Sequence, residues 1–313
     1  MYGEMQLFSG RANPELSKKI AQYLGVSLGE VSITCFSDGE TRLEIQSNVR
    51  GKDTFVIQST CAPANDHLME LLIFSDALRR ASAQRITAVI PYYGYARQER
   101  KDAPRTPITA KLVADLLTTS GVDRVLTLEL HTGAIQGFFN VPVDHLFIKP
   151  VFVEHFRTLN LQDPIVVSPD AGGVERARAF AKQLGYGLAI VDKRRDKPGV
   201  SQVMHVIGDV QGKTAIIIDD ICDTGGSLTQ AATALISKGA QKVYGAITHP
   251  VLSGPALDRI MASPLEKLFV SDTIPLSEAG LACPKIQTLS VASLLGEAIG
   301  RTHRSDSISS LFI

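Results

Sequence analysis

Two α/β domains with mainly parallel sheets flanked by helices are predicted by three features of this sequence. Short β-branched apolar runs alternate with segments whose apolar residues recur at helical spacing. The runs are continuously apolar instead of alternating with polar residues, the pattern of parallel strands covered on both faces. The chain has 313 residues, about twice an ordinary domain.

In chain order the strand runs are DTFVIQST (53–60), RITAVIPYY (85–93), RVLTLELH (124–131), PIVVSPD (164–170), GLAIVDK (187–193), KTAIIIDDI (213–221) and KVYGAITHP (242–250). Between them, 67–81, 109–121, 174–185 and 227–239 carry apolar residues at helical spacing. A helix followed by a small, polar and basic entry into a strand recurs at 81–91, 119–129 and 237–247, which favours a duplication. NVPVDHLFIKP (140–150) holds two prolines and loses periodicity. The expected division is therefore 1–147 and 148–295. The tail 296–313 ends Leu311-Phe312-Ile313 and is expected to pack back on the first domain.

Hydrophobic residues at 44% and charged residues at 20% exclude a disordered chain or a disulfide scaffold. Lys+Arg and Asp+Glu balance at 32 each, which argues against nucleic-acid partners. Cys35, Cys61, Cys222 and Cys283 form no C-x-x-C, so they read as buried or incidental thiols and not as zinc ligands. No basic stretch followed by an apolar one opens the chain, and nowhere do 18 apolar residues run together. A cytoplasmic protein with no membrane partner is expected.

The strongest chemical signal is IIIDDICDTGGSLTQAATAL (216–235). An apolar strand ends in Asp219 and Asp220, and Asp223-Thr224-Gly225-Gly226-Ser227 turns directly into a helix. Backbone N–H groups of a Gly-rich turn and a helix start suit a phosphate monoester. Thr224 and Ser227 add hydroxyls, and the paired carboxylates can accept from sugar hydroxyls or hold Mg²⁺. A lone D-x-G-G would be better read as a capped turn. The whole run together favours a ribose-phosphate site.

This run resembles the phosphoribosyltransferase fingerprint, and the chain resembles the phosphate-activated ribose-phosphate diphosphokinase family nearly end to end. FSDGE (36–40), NVRGKD (48–53), 58–72, 76–101, ELHTGAIQGFF (129–139), VVSPDAGGVERA (166–177), DKRR (192–195), 200–213 and the DDICDTGGS run carry the likeness. It implies two phosphoribosyltransferase-type domains with ATP and ribose 5-phosphate in the cleft between them. It implies transfer of the diphosphoryl group of ATP to the sugar's 1-hydroxyl, giving 5-phosphoribosyl 1-diphosphate and AMP, for nucleotide, His and Trp biosynthesis. Positioning and charge neutralisation dominate such a reaction.

The resemblance implies ribose-5-phosphate binding by Asp219, Asp220, Asp223, Thr224, Gly225, Gly226 and Ser227. It implies catalytic cations Lys193 and Arg195 on a mobile loop (Arg194 pointing elsewhere by strand alternation), and Mg²⁺ contacts at His131 and Asp170, with two ions and one on ATP. For ATP it implies Phe36, Asp38, Glu40, Arg97, Gln98, Arg100 and His131, the first three reaching a neighbouring subunit of a hexamer built from dimers. If extended, Phe36, Asp38 and Glu40 share one face; a hairpin turn at Asp38-Gly39 is the plainer alternative. Arg50, Ser307 and Ser309 match a site for regulatory phosphate, the activator, or ADP. Two departures stand out: Glu129 replaces the usual Asp, and Ala134 a common Gln. His67 and Glu70 form an H-x-x-E that reads as structural, with Asn65 and Asp66 as a helix cap; DAGGVERARA (170–179) could bind an anion or simply pack closely. Competing readings are a base-using phosphoribosyltransferase and a non-catalytic regulatory paralogue; the first has no use for FSDGE, Arg97-Gln98 and the cationic loop, and the second is disfavoured by intact Lys193, Arg195, His131 and Asp170.

Overall fold

The computed structural model describes residues 3–194 and 203–311, which divide into two units. The first takes the described residues of 1–148, 273–275 and 290–313; the second takes 149–272 and 276–289.

The first unit opens with β1 (Met5–Ser9) and α1 (Pro14–Leu24). Asn13 caps this helix, its side chain accepting from the Leu16 N–H, and Pro14 supplies a preset φ at the first turn. Gly25, at φ 69°, closes it in the left-handed region. A separate antiparallel hairpin follows, β2 (Val31–Cys35) and β3 (Thr41–Ile45). Then come β4 (Asp53–Ile57), α2 (Ala64–Arg80), β5 (Arg85–Ile90), α3 (Thr109–Ser120), β6 (Arg124–Leu128) and β7 (Val143–Leu146). The sheet order is β1-β4-β5-β6-β7, all parallel. Every residue of β4 and β5 is buried, as their unbroken apolar runs require. Phe8 packs on Phe74, and Leu71, Leu78, Val113 and Leu117 complete the core between sheet and helices.

The second unit starts with α4 (Lys149–Thr158), β8 (Pro164–Ser168), α5 (Val174–Leu184) and β9 (Gly187–Arg194). It continues through β10 (Val203–Ile207), β11 (Thr214–Cys222), α6 (Gly226–Ser237), β12 (Lys242–Pro250), α7 (Ala256–Ala262), β13 (Leu265–Ser271), α8 (Glu278–Ala282) and β14 (Ile286–Leu289). The order is β10-β9-β8-β11-β12-β13-β14, parallel except for β10 against β9. Ile165, Val167, Ile217, Leu228, Leu235 and Leu268 lie in its core.

The two mainly parallel sheets flanked by helices are as expected. Several boundaries differ. The proline-bearing stretch 140–150, inside which the units divide after Ile148, forms β7 and the start of α4: Pro142 precedes the strand and Pro150 sits in the helix's first turn, where no N–H is needed. The chain returns to the first unit at 290, ahead of the expected 296, and helix α9 (Ala292–Arg304) runs into the stretch read as tail. Asn65 and Asp66 lie inside α2 and do not cap it; Asn65 instead accepts from the Tyr95 hydroxyl. Three cysteines are buried but Cys35 is exposed at the hairpin.

Besides its buried apolar face of Leu294, Leu295, Ala298 and Ile299, α9 is tied to the first unit by a buried ionic cluster. Asp53, fully buried on β4, accepts from Arg85 Nε at 2.7 Å and Nη2 at 2.6 Å, and lies 2.7 Å from His303 Nδ1. Arg85 Nη2 also donates to the Thr302 carbonyl at 3.0 Å. Removing one partner of a buried pair leaves an uncompensated charge. Arg85→Met should therefore destabilise the chain by about 3–5 kcal/mol in urea unfolding. Lys18→Met, which breaks a pair with Glu15 at the surface, should leave the urea midpoint nearly unchanged, because solvent screens that pair.

Candidate active site

Sheet order in the second unit places the carboxylates. From β8 the chain moves outward to β9, and later from β11 outward the other way to β12, so β8 and β11 flank a reversal of strand order. Open α/β sheets bind ligands at the carboxyl ends of strands at such a reversal. β8 pairs with β11 only as far as Val167 opposite Ile217. β11 runs on to Cys222, so Asp219 and Asp220 stand on a stretch that has no β8 neighbour beside it.

Arg176, in the first turn of α5, reaches across to both, with Nη1 3.3 Å from Asp220 Oδ1 and 3.6 Å from Asp219 Oδ1. Asp219 Oδ1 also accepts the Asp220 N–H. Burial first, then the Asp220 charge, pushes the Asp219 carboxyl up to about 8; Asp170 pushes the same way and Arg176 opposes it. Asp170, two residues past β8, accepts the Gly173 N–H at 2.9 Å through Oδ1. The DAGG turn thus spends one of its own N–H groups on its own Asp, and its Gly173 side is tight: a Cβ there would meet the Ser168 hydroxyl at 2.9 Å.

Beyond β11 the chain turns sharply. Gly225, at φ 73°, needs the left-handed conformation, and no side chain caps α6. First-turn N–H groups of an uncapped helix are available to an anion. Thr224 and Ser227 are exposed beside them. A Cβ on Gly226 would meet nothing closer than the Arg259 guanidinium at 3.4 Å. Asp223 accepts from the Ser253 hydroxyl through Oδ1. The Cys222 thiol behind the turn is pushed up to about 12 by burial, so it stays protonated.

The backbones of Lys193 and Arg194 end β9 on the same sheet edge, past the last β8 pairing at Ile190, opposite Met204 and Val203. Arg195 lies outside the described residues.

In the first unit, His131 follows β6, half-buried. Glu129, at φ 46°, is buried, and its carboxylate accepts the Ile148 N–H at 3.1 Å. Its longer side chain thus pins the β6 exit to the chain after β7. His145 is structural too, its Nε2 accepting the Leu130 N–H at 2.8 Å. Ala134 is exposed. Phe36, Asp38 and Glu40 sit on an exposed turn instead of an extended face: the Phe36 N–H donates to the Glu40 carbonyl, and Asp38 Oδ1 accepts the Glu40 N–H. The Arg42 guanidinium lies 6.0 Å over the Phe36 ring. Arg97, Gln98 and Arg100 are exposed after β5, with the Gln98 Oε1 accepting from the Thr109 hydroxyl. His67 and Glu70 are structural: His67 Nδ1 contacts the Cys61 carbonyl, while buried Glu70 accepts from Arg11 and Gln58. Arg50 is exposed; Ser307 and Ser309 bond each other, and the Arg301 guanidinium donates to the Ser307 carbonyl.

Among the described residues no three His, Cys, Asp or Glu side chains are grouped to hold a metal by themselves. No described helix is long and apolar enough to cross a membrane.

The family model for the N-terminal domain of ribose phosphate pyrophosphokinase matches residues 5–121, and that for the phosphoribosyl synthetase-associated domain matches 193–313. The chain belongs to the ribose-phosphate pyrophosphokinase family. It is 55% identical over 309 residues to the ribose-phosphate pyrophosphokinase of Burkholderia pseudomallei, covering 98% of this chain and 97% of that one. It is 56% identical to the protein of that name from Bradyrhizobium diazoefficiens, covering 99% and 98%. The crystal structure of phosphoribosylpyrophosphate synthetase from Mycobacterium smegmatis superposes with TM-score 0.92 at 42% identity, over 97% of this chain and 100% of that one.

Arg176 and Arg259 are the site residues that reading the sequence missed. Arg176 had a signal, standing in the turn-and-helix segment after Asp170; Arg259 had none, because only the packing of α7 brings it to the turn.

Asp219 generates a stability prediction. With its carboxyl raised above the ordinary value near 4, the folded chain holds a proton that the unfolded chain loses. Its contribution therefore falls as pH rises from about 4 toward 8. Asp219→Asn, which mimics the protonated form, should be more stable than the parent at pH 8, and the gap should close as pH falls to about 4. Unfolding free energies measured across that range without substrates check it.

Proposed function

We propose that the chain transfers the diphosphoryl group of ATP to the 1-hydroxyl of ribose 5-phosphate, giving 5-phosphoribosyl 1-diphosphate and AMP. The observation that carries this reading is the joining, at one strand-order reversal, of paired carboxylates to an uncapped helix start behind a left-handed glycine. The 5-phosphate would take the first-turn N–H groups of α6, with the Thr224 and Ser227 hydroxyls. Ribose hydroxyls would donate to Asp219 and Asp220, and Asp223 would hold the turn through Ser253.

In this reading the sugar's 1-oxygen attacks the β-phosphorus of ATP. The bond from that phosphorus to the α–β bridging oxygen breaks, AMP leaves with the electron pair, and the hydroxyl proton is lost. Lys193 and Arg195 would meet the charge that develops on the diphosphoryl oxygens. Arg97, Gln98, Arg100 and His131 would contact ATP. The exposed hairpin turn carrying Phe36, Asp38 and Glu40 would complete the ATP site of a neighbouring copy in a hexamer. Arg50, Ser307 and Ser309 would take activating phosphate or ADP. A cytoplasmic setting fits the substrates.

Mg²⁺ suits the donors present. The carboxylates of Asp170, Asp219 and Asp220 are hard oxygen ligands, and Asp219 is raised by burial first and by the Asp220 charge second, the latter a repulsion that a cation relieves. Mg²⁺ commonly takes one or two carboxylates and completes its shell with phosphate and water, so a cage of protein ligands is not required. Asp170 and His131 are the proposed contacts of Mg²⁺–ATP. When bound, the ion neutralises and orients the phosphate oxygens.

AMP release from ATP, Mg²⁺ and ribose 5-phosphate is the direct test. Diphosphate release that depends on an added nitrogen base would favour an ordinary phosphoribosyltransferase, and no turnover would favour a regulatory paralogue. Gly226→Val is a local probe, because a side chain there has room in the fold but stands where phosphate must approach. It should raise the KM for ribose 5-phosphate at least about tenfold, the loss of one charge-assisted hydrogen bond, and leave the KM for ATP nearly unchanged. Lys193→Ala and Arg195→Ala should each lower kcat roughly 10²–10³-fold with little change in either KM. Losses confined to KM would overturn that role.

A further inference from the structure

The turn assigned to ribose 5-phosphate is braced by the segment that follows β12. After β12 the chain folds back so that the Leu252 N–H donates to the Cys222 carbonyl at 2.9 Å and the Ser253 N–H to the Asp223 carbonyl at 3.0 Å. Ala256, at the start of α7, lies against Gly225: a Cβ on that glycine would be 3.4 Å from the Ala256 carbonyl. One helical turn later, Arg259 Nη1 donates to the Thr224 carbonyl at 3.0 Å.

Electrostatics give this arginine a task. Asp219, Asp220 and Asp223 stand in or beside the turn, so a phosphate dianion arrives against a negative background. Arg176 faces Asp219 and Asp220. The Arg259 guanidinium is exposed, and its Nη1 is 3.4 Å from the place a Gly226 Cβ would occupy, beside the first turn of α6 to which the 5-phosphate is assigned. A guanidinium carries five donors in a planar fork, so one bond to a carbonyl leaves others for an oxyanion.

We propose that Arg259 is a specificity-determining residue for ribose 5-phosphate: held by the Thr224 carbonyl, it presents a fixed positive charge to the 5-phosphate. This rests on the assignment of the turn to ribose 5-phosphate. A brace without an electrostatic part would need only a donor to Thr224, and glutamine supplies one without charge. The charge series Arg259→Lys, Arg259→Gln and Arg259→Glu therefore separates the two roles. The KM for ribose 5-phosphate should rise less than about threefold in Arg259→Lys, about tenfold in Arg259→Gln and further in Arg259→Glu. The KM for ATP should stay within about twofold throughout, and thermal unfolding midpoints should match, since the side chain is exposed. Added salt should weaken ribose 5-phosphate less in Arg259→Gln than in the parent. Equal KM values for parent and Arg259→Gln, or equal losses in Gln and Glu, overturn the proposal. Thr224→Val is measured alongside. If it raises the KM for ribose 5-phosphate while Arg259→Gln does not, only the role of Arg259 falls. If neither variant moves that KM, the assignment of the turn falls with it.

Discussion

The second unit is organised around one mismatch of strand length. β8 stops pairing at Val167 while β11 continues five residues past the opposing Ile217, to Cys222. A parallel strand that outruns its neighbour exposes one edge of its backbone, and its last side chains, alternating between the two faces of the sheet, lose the cover of that neighbour. Two of those are carboxylates. In an apolar sheet such a pair must be answered by a cation, and Arg176 answers it from α5. The helix that covers β8, the turn that follows β11 and the carboxylates between them are thus set by where one strand ends. The anion-binding role proposed for the turn rests on Gly225, whose left-handed backbone leads into the uncapped first turn of α6.

The first unit solves a different problem, that of bringing distant parts of the chain together. Asp53 does this through full burial: a carboxylate without water needs partners, and Arg85, with His303 from the C-terminal helix, provides them. Glu70 acts alike near the N-terminus, accepting the Arg11 N–H and the Gln58 amide. Apolar packing gives both sheets their cores, but these polar contacts decide which segments return to them. Asp53 is three residues from Arg50, and His303 four residues from Ser307. The same cluster therefore constrains both chain segments proposed to hold regulatory phosphate.

Legibility in the sequence followed the locality of the signal. β4, β5, β6, β8, β9, β11 and β12 were readable because buried parallel strands are unbroken apolar runs. β1, β2 and β3 were not, being short and edge-like or half-exposed, with polar residues interleaved. Asp219 through Ser227 were readable because carboxylates, turn glycines and helix start are consecutive. His67 and Glu70, read as structural in spite of their H-x-x-E spacing, contact the Cys61 carbonyl and accept from Arg11 and Gln58, respectively. Glu129 was noticed as unusual, but its role depends on Ile148, nineteen residues away, and only the fold shows that. The hairpin turn of Phe36, Asp38 and Glu40 followed its Asp-Gly step and not the alternation of an extended strand.

The charges of the site also constrain how it is filled. Burial first, and the neighbouring Asp220 charge second, raise the Asp219 carboxyl, with Arg176 opposing the shift. Sugar hydroxyls that donate to these carboxylates, or a divalent cation beside them, favour the ionised form and displace the Asp219 proton. In the proposed reading the phosphate end of the same ligand has the opposite need, for positive charge, and would meet it at the helix start with Arg259 beside it. On that reading the two ends of one sugar phosphate would be matched to two oppositely biased ends of one eight-residue strand–turn–helix segment, 219–226. A ligand reversed in that groove would set phosphate against carboxylates, and this repulsion fixes its direction before any specific contact is made.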